Sequence, residues 1–383
     1  MREIYLDNSA TTYVREEVLK HMLPYFKDNY GNPSSIYKIG LSNQKCINVC
    51  RQQIAKLYHC ASAKEIYFTS CGTESNNWAL KAVCLQKKSG HVIISSIEHS
   101  SIIESSYFLK QLGFDVTYLS VNKNGLINLQ ELERSIRKDT ILVSVMYVNN
   151  EVGVIEPIKK IADICKKYNV LLHTDAVQAA PHLKINVQEL GIDMMSISGH
   201  KVYAPKGVGL LYVKKNTPMI PLIHGGHQEN QMRGGTENIA SIVGLTKGLE
   251  LCNEELKINT VKFERLRTRL IRGLTERNYD FIEIGKDNDN KLDSIINICF
   301  KNINSKTLAI LLGEEEIYVS TGSACNSGSV VPSHVLQALK IPDSYINGAI
   351  RVSLGKDTSE QEIDLFIDTL SNIFKNKLSF IQE

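Results

Sequence analysis

The sequence predicts an α/β protein, with a mostly parallel sheet in a large unit and a smaller α+β unit beyond it. Three observations predict this. Between about residues 65 and 213, short β-branched runs alternate with stretches of helical spacing, the pattern of a parallel sheet covered by helices on both faces. Several of those runs end in compact polar segments, where a plain connector could be almost anything. After Thr236 the alternation stops, and one long helical stretch leads into a different mixture of elements.

In chain order, 66–69 reads as a strand and 73–88 as a helix. Strand 92–94 is followed by a helix over 101–112, and strands at 116–119 and 141–146 enclose a helix near 129–137. Residues 157–168 fit a helix with proline in its first turn, after which 170–173 is a buried strand. Strands 194–198 and 209–213 complete the series. The long helix runs to about residue 276. Beyond it come a strand at 294–300, a helix at 306–312, a strand at 350–354 and an amphipathic helix at 361–374. Residues 1–15 are too few to fold alone and are expected to pack on this second unit. The expected division is 16–255 for the large domain, and 1–15 with 256–383 for the small one.

The 383 residues are 43% apolar and 22% charged, the make-up of a globular chain rather than a disordered or fibrous one. Forty-four basic residues against 41 acidic ones leave a formal +3, too little for a chain built to grip nucleic-acid backbones. No apolar run nears the roughly 20 residues of a membrane helix, and Met1-Arg2-Glu3 leads into strand-like sequence without a signal core. Neither nucleic acid nor membrane is expected as a partner, and a cytoplasmic location is expected. Nine cysteines, at 46, 50, 60, 71, 84, 165, 252, 299 and 325, show no paired zinc-ribbon spacing. In a reducing compartment most should be small buried hydrophobes.

In an open α/β sheet, ligands bind outside the carboxyl ends of the strands, which directs attention to five segments. Cys71-Gly72-Thr73-Glu74 opens a helix after a strand. The free N–H groups and positive dipole of a helix start make a phosphate cradle, although an ordinary N-cap explains the segment as well. Asp175 closes an apolar strand; it either caps the next helix or faces a cationic heteroaromatic nitrogen, since a buried charge needs a partner. Lys201, in Ser198-Gly199-His200-Lys201, is either a solvent-facing lysine or a partly desolvated amine able to form a Schiff base. Glu98-His99 and Asn149-Asn150-Glu151 complete the set.

Farther on, Cys325 sits among small residues, in Thr321-Gly322-Ser323-Ala324-Cys325-Asn326-Ser327-Gly328, with none of the apolar neighbours that surround Cys299. Such a setting suits a nucleophile that must reach a substrate and then a partner. No metal site is expected, because His224-Gly225-Gly226-His227 has a glycine-rich frame and no completing ligand. Dinucleotide and P-loop glycine patterns are absent. A phosphate cradle, a carboxylate and an amine together are what pyridoxal phosphate requires.

With these residues in view, the chain resembles the cysteine desulfurases of the NifS/IscS type, in the class V aminotransferase family of fold-type I pyridoxal-phosphate enzymes. The resemblance extends through Tyr5-Leu6-Asp7-Asn8-Ser9-Ala10-Thr11-Thr12, Gly31-Asn32-Pro33-Ser34-Ser35, Arg233-Gly234-Gly235-Thr236 and Ala349-Ile350-Arg351-Val352-Ser353-Leu354-Gly355. It implies a seven-stranded large domain that binds pyridoxal 5'-phosphate. By position, it implies Lys201 as the Schiff-base lysine, Asp175 as partner of the pyridine nitrogen and Gln178 as partner of the ring phenolate oxygen. His99 would stack on the ring and help move protons. Gly72, Thr73, Ser198 and His200 would hold the phosphate, with Thr236 contributed by the second subunit of a homodimer. Arg351, assisted by Asn150, would clamp the carboxylate of L-cysteine. Cys325 would take the substrate sulfur as a persulfide, releasing L-alanine, and pass it to an iron–sulfur scaffold or a tRNA-thiolation protein. Departures from the family pattern are Gly234 where serine is usual, and Cys71 and Ser9 where glycine and alanine are commoner. A selenocysteine lyase or another class V aminotransferase would keep the cofactor and change the reaction; an aminotransferase would have no need of Cys325.

Overall fold

The structure, a computed structural model, describes residues 3–286, 288, 290–321, 332–377 and 381. Its strands are β1 (Ile4–Tyr5), β2 (Ile66–Thr69), β3 (His91–Ser95), β4 (Asp115–Leu119), β5 (Thr140–Ser144), β6 (Leu171–Asp175), β7 (Met194–Ser198), β8 (Gly209–Val213), β9 (Phe281–Glu283), β10 (Ile295–Phe300), β11 (Ile317–Tyr318) and β12 (Ala349–Ser353). Seven of them form one sheet in the order β2-β8-β7-β6-β5-β3-β4. Only β8 runs against the rest, pairing antiparallel with both β7 and β2.

The sheet is apolar on both sides, as a sheet under two helical layers must be. Every residue of β3, β7 and β8 is buried. Alternation along one strand divides the core. Ile93 belongs to the same core as residues of helices Lys38–Leu57 and Ile158–Lys167, whereas its neighbours Val92 and Ile94 belong to a core with Trp78 and Leu80 of helix Gly72–Lys87. A second, antiparallel sheet has the order β12-β10-β9. Its core joins Ile296, Ile298 and Val352 to Leu308 of helix Ser305–Glu314 and Phe366 of helix Glu360–Asn376. Ile4 and Leu6 belong to this second core, and β1 pairs with β11. The helix Ile239–Glu276 serves both: Ile242, Leu245 and Leu249 lie in the first core, Phe263, Leu266 and Leu270 in the second.

Two local expectations shift. The strand expected over 141–146 stops at Ser144, because the Met146 N–H leaves the ladder for the Glu98 carboxyl at 2.7 Å. Pro157 stands at the N-cap of its helix instead of inside the first turn.

Glu229, Asn230 and Gln231 form a left-handed turn, with φ of 47°, 56° and 68°, at roughly 1–2 kcal/mol per residue for side chains other than glycine. A buried clamp holds it. Arg51 meets the Glu229 carboxylate through Nη1 at 2.7 Å and Nη2 at 2.8 Å, and the Phe68 N–H adds a third bond at 2.8 Å. Arg51→Met would leave that carboxylate buried and unpaired, at an expected cost of about 3–5 kcal/mol. The check is thermal unfolding; an unchanged midpoint would mean the turn does not depend on the clamp.

Candidate active site

A cavity of about 500 Å³ opens at the carboxyl edge of the large sheet. Gly72 and Thr73 reach it from the helix start after β2, His99 from the segment after β3, and Asn150 from the segment after β5. Asp175 and Gln178 enter from the end of β6, Ser198, His200 and Lys201 from the end of β7, and Arg351 from β12 of the second sheet. Thr236 is exposed and does not line the cavity. Cys325 lies outside the described residues, but both flanks of its segment meet the site. Ser320 and Arg351 exchange main-chain hydrogen bonds of 3.2 and 2.7 Å, and Pro332 and Ser333 line the cavity.

The helix start is built for close approach. Cys71 is its N-cap, its sulfur accepting the Glu74 N–H at 3.4 Å. A Cβ on Gly72 would stand 2.9 Å from Val177 Cγ2 and 3.2 Å from Ser198 Cβ, so only glycine lets the helix start, β6 and β7 converge here. Glu74 is pinned by Arg233 at 2.9 and 3.1 Å. Burial pushes its carboxyl up, but the Arg233 and Ser70 hydrogen bonds prevail and hold it below the ordinary carboxylate value. Burial, aided by the charges of Lys201 and Lys206, depresses the His200 imidazole to about 4 and so keeps it neutral.

The buried Asp175 carboxylate accepts the Asn76 amide at 2.6 Å through Oδ2 and the Val177 N–H at 2.9 Å through Oδ1. The Lys201 amine donates to the main-chain carbonyls of Ser9 and, at 2.6 Å, Ala10, while Gln178 Nε2 donates to the same Ser9 carbonyl at 3.0 Å. His99 caps helix Ser100–Gln111. Burial lowers its imidazole below the ordinary value, against the pull of Asp175 and with the push of Lys201 and His334. Arg351 is 5% exposed. Its Nη1 donates to the Asn150 carbonyl at 3.0 Å and its Nη2 to Asp7 at 2.7 Å. Its Nε, buried as well, has no partner among the described residues.

Some participants escape the sequence reading. The Ser9 and Ala10 carbonyls are backbone groups that no side-chain motif announces. Glu98 and Glu151 stand in flagged segments, yet their state is visible only in three dimensions. Burial raises the Glu98 carboxyl well above the ordinary value, and Glu151 accepts the Ser333 hydroxyl at 2.5 Å. His334, also at the cavity, donates from Nε2 to the Glu98 carbonyl at 3.0 Å.

The donor set fits pyridoxal phosphate: a helix start with a glycine-tight approach for the phosphate, a buried carboxylate for the ring nitrogen, and an amine for the aldehyde carbon. This sheet, with its carboxylate and lysine at neighbouring strand ends, is that of the fold-type I pyridoxal-phosphate enzymes. Within them, the chain belongs to the class-V aminotransferase family, whose profile matches residues 4–366. The cysteine desulfurase IscS of Dictyoglomus turgidum is 44% identical over 376 residues, 98% of this chain and 95% of that protein. The IscS of Methanosarcina thermophila is 45% identical over 379 residues, 97% and 92% of the two chains. Among solved structures, a NifS-like protein superposes with a TM-score of 0.92 at 38% identity, over 98% of this chain and all of that one. SspA in complex with cysteine superposes with a TM-score of 0.82 at 37% identity, over 92% and 98%.

Proposed function

We propose that the protein is a cysteine desulfurase, taking sulfur from L-cysteine to give L-alanine and a persulfide on Cys325. The observation that carries this is Arg351. Its unpartnered Nε faces the need of an amino-acid carboxylate, and its main chain is bonded to Ser320, five residues before Cys325. When bound, pyridoxal phosphate supplies an electron sink for the charge left on the substrate carbon. Asp175 would hold the ring nitrogen, Gln178 the ring oxygen, and Gly72, Thr73, Ser198 and His200 the phosphate. Lys201 would supply the amine that tethers the cofactor. His99 would lie against it. The Cys325 thiolate attacks the substrate sulfur; a sulfur–sulfur bond forms, the carbon–sulfur bond breaks, and its electron pair stays with the carbon, which takes a proton and leaves as alanine.

The persulfide passes to an acceptor protein of iron–sulfur assembly or tRNA thiolation. A homodimer belongs to the same reading, with Thr236 of each chain serving the other's cofactor. Leu23, Phe26, Tyr30, Ile36, Tyr37 and Leu41, each at least 51% exposed, support a covering second copy, since so much clustered apolar surface marks an interface. The division into residues 16–255 and 1–15 with 256–383 fits the two cores, with the long helix as the joint. A cytoplasmic site of action rests on the cysteine usage, which suits a reducing compartment. Among the described residues no helix is long and apolar enough to cross a membrane.

The test is to supply L-cysteine and a thiol reductant and measure alanine and sulfide, which should appear in equal amounts. Turnover of selenocysteine alone would make the protein a lyase, and a requirement for a keto acid would make it an aminotransferase. Arg351→Lys should raise KM for L-cysteine about 10- to 100-fold, with kcat less affected, because an ammonium cannot grip a carboxylate in two places. An unchanged KM would remove Arg351 from the substrate site.

A further inference from the structure

The surroundings of His99 decide which of its nitrogens carries a proton. Nδ1 receives two donors from one residue: the Ser101 N–H at 3.1 Å and the Ser101 hydroxyl at 2.8 Å. A main-chain N–H in a helix cannot turn away, so Nδ1 must offer its lone pair. The hydroxyl could face either way were it not for Asn76, whose Nδ2 reaches Ser101 Oγ at 2.9 Å. Having accepted there, the hydroxyl sends its one hydrogen to Nδ1. Asn76 is oriented in turn by Asp175: its Nδ2 lies 2.6 Å from Oδ2, and a reversed amide would set oxygen against carboxylate. Asn76 Oδ1 is buried without a partner among the described residues, so the amide is oriented by its two acceptors. All of this is out of water, Asn76 at 1% and Ser101 at 7% exposure. His99 Nε2, by contrast, has no protein partner among the described residues, and the ring lines the cavity.

We propose that Asn76 and Ser101 are positioning residues that hold His99 as its Nε2–H tautomer, so that the ring offers the substrate a hydrogen-bond donor and not a base. The proposal rests on the desulfurase reading only for its consequence in turnover. Protonating Nδ1 would break both Ser101 bonds and place a cation at the positive end of helix Ser100–Gln111. A histidine kept neutral at a helix start in this way polarises its target instead of deprotonating it. The charges facing the ring come from three directions. Asp175 at the end of β6 favours the cation, while Lys201 after β7 and His334 on helix His334–Ala338 oppose it; His200, also after β7, is neutral. Burial is the largest influence and also favours the neutral ring.

The test uses the full chain with 15N-labelled histidine, both loaded with cofactor and without it, and His99→Gln identifies the His99 signals. Near neutral pH, Nε2 should show a protonated shift and Nδ1 an unprotonated, hydrogen-bonded one. Ser101→Ala and Asn76→Leu leave the main-chain N–H on Nδ1 but remove or free the hydroxyl, and should give a shifted Nδ1 signal and a ring that protonates more readily. They should also lower kcat about tenfold, the weight of one well-placed hydrogen bond, with KM unchanged. Ser101→Thr, which keeps the hydroxyl, should restore the parent pattern. A proton on Nδ1 in the unmutated protein overturns the proposal, and so do variants that leave the Nδ1 signal and the ring's protonation as they were. Because the first measurement needs no substitution, a variant that fails to fold does not shield the idea. If alanine never forms while Nε2–H is observed, the functional reading fails and the positioning stands.

Discussion

Lys201→Ala is expected to lower alanine formation from L-cysteine by at least about 10³-fold and to abolish the visible absorption of the bound cofactor. The size of the effect follows from where the lysine stands. It closes the short turn Gly199–Lys201 at the end of β7, one strand away from Asp175 at the end of β6. That turn is tight: a Cβ on Gly199 would lie 2.6 Å from Val208 Cγ1 and 2.9 Å from the Pro205 carbonyl. The backbone is thus held by packing that an alanine at 201 leaves alone, and only the amine is lost. In the proposed reaction this amine would both tether the cofactor and accept a proton, and among the described residues no other lysine lines the cavity. The thermal midpoint of the cofactor-free chain should hardly move. Activity within tenfold of the parent would remove Lys201 from the chemistry.

Cys325→Ser should keep the cofactor absorption and lose the persulfide, with sulfide release falling at least about 10²-fold. A serine hydroxyl is nearly isosteric with the thiol but remains protonated near neutral pH, and it forms no stable bond to sulfur. Among the other eight cysteines, Cys71 also lines the cavity, but its sulfur is engaged as the acceptor of the Glu74 N–H. Five are buried, and burial pushes the thiols of Cys84, Cys165, Cys252 and Cys299 up to about 12. Mass spectrometry after a single addition of L-cysteine reads the outcome as one added sulfur atom on the parent and none on the variant. Sulfide released at the parent rate by the variant would sink the mechanism.

Much of the fold is legible in the sequence because burial on both sheet faces writes itself as β-branched runs such as Val92-Ile93-Ile94. The flagged polar segments are legible for the same reason: they stand where such runs stop. β1 and β11 are not legible, since two residues carry no period and their pairing spans the chain. Nor are the seats of Lys201 and His99. The lysine meets carbonyls, which every residue has, and the histidine's proton is placed by Asn76 and Ser101 from two different helices. Thr236 belongs to a third kind: its place in the fold is plain, but the task proposed for it would depend on a second copy of the chain.

Residues 4–12 tie the two halves together. β1 pairs with β11, Ser9 N–H bonds the Ser353 hydroxyl 344 residues away, Asp7 meets Arg351, and the Ser9 and Ala10 carbonyls receive Lys201. During synthesis at roughly 5–20 residues per second, the segment that seats the lysine therefore waits on the order of half a minute for its partners to leave the ribosome. The large sheet can form before them, but the segment that seats the lysine gains its own partners only once β11 and β12 have been made.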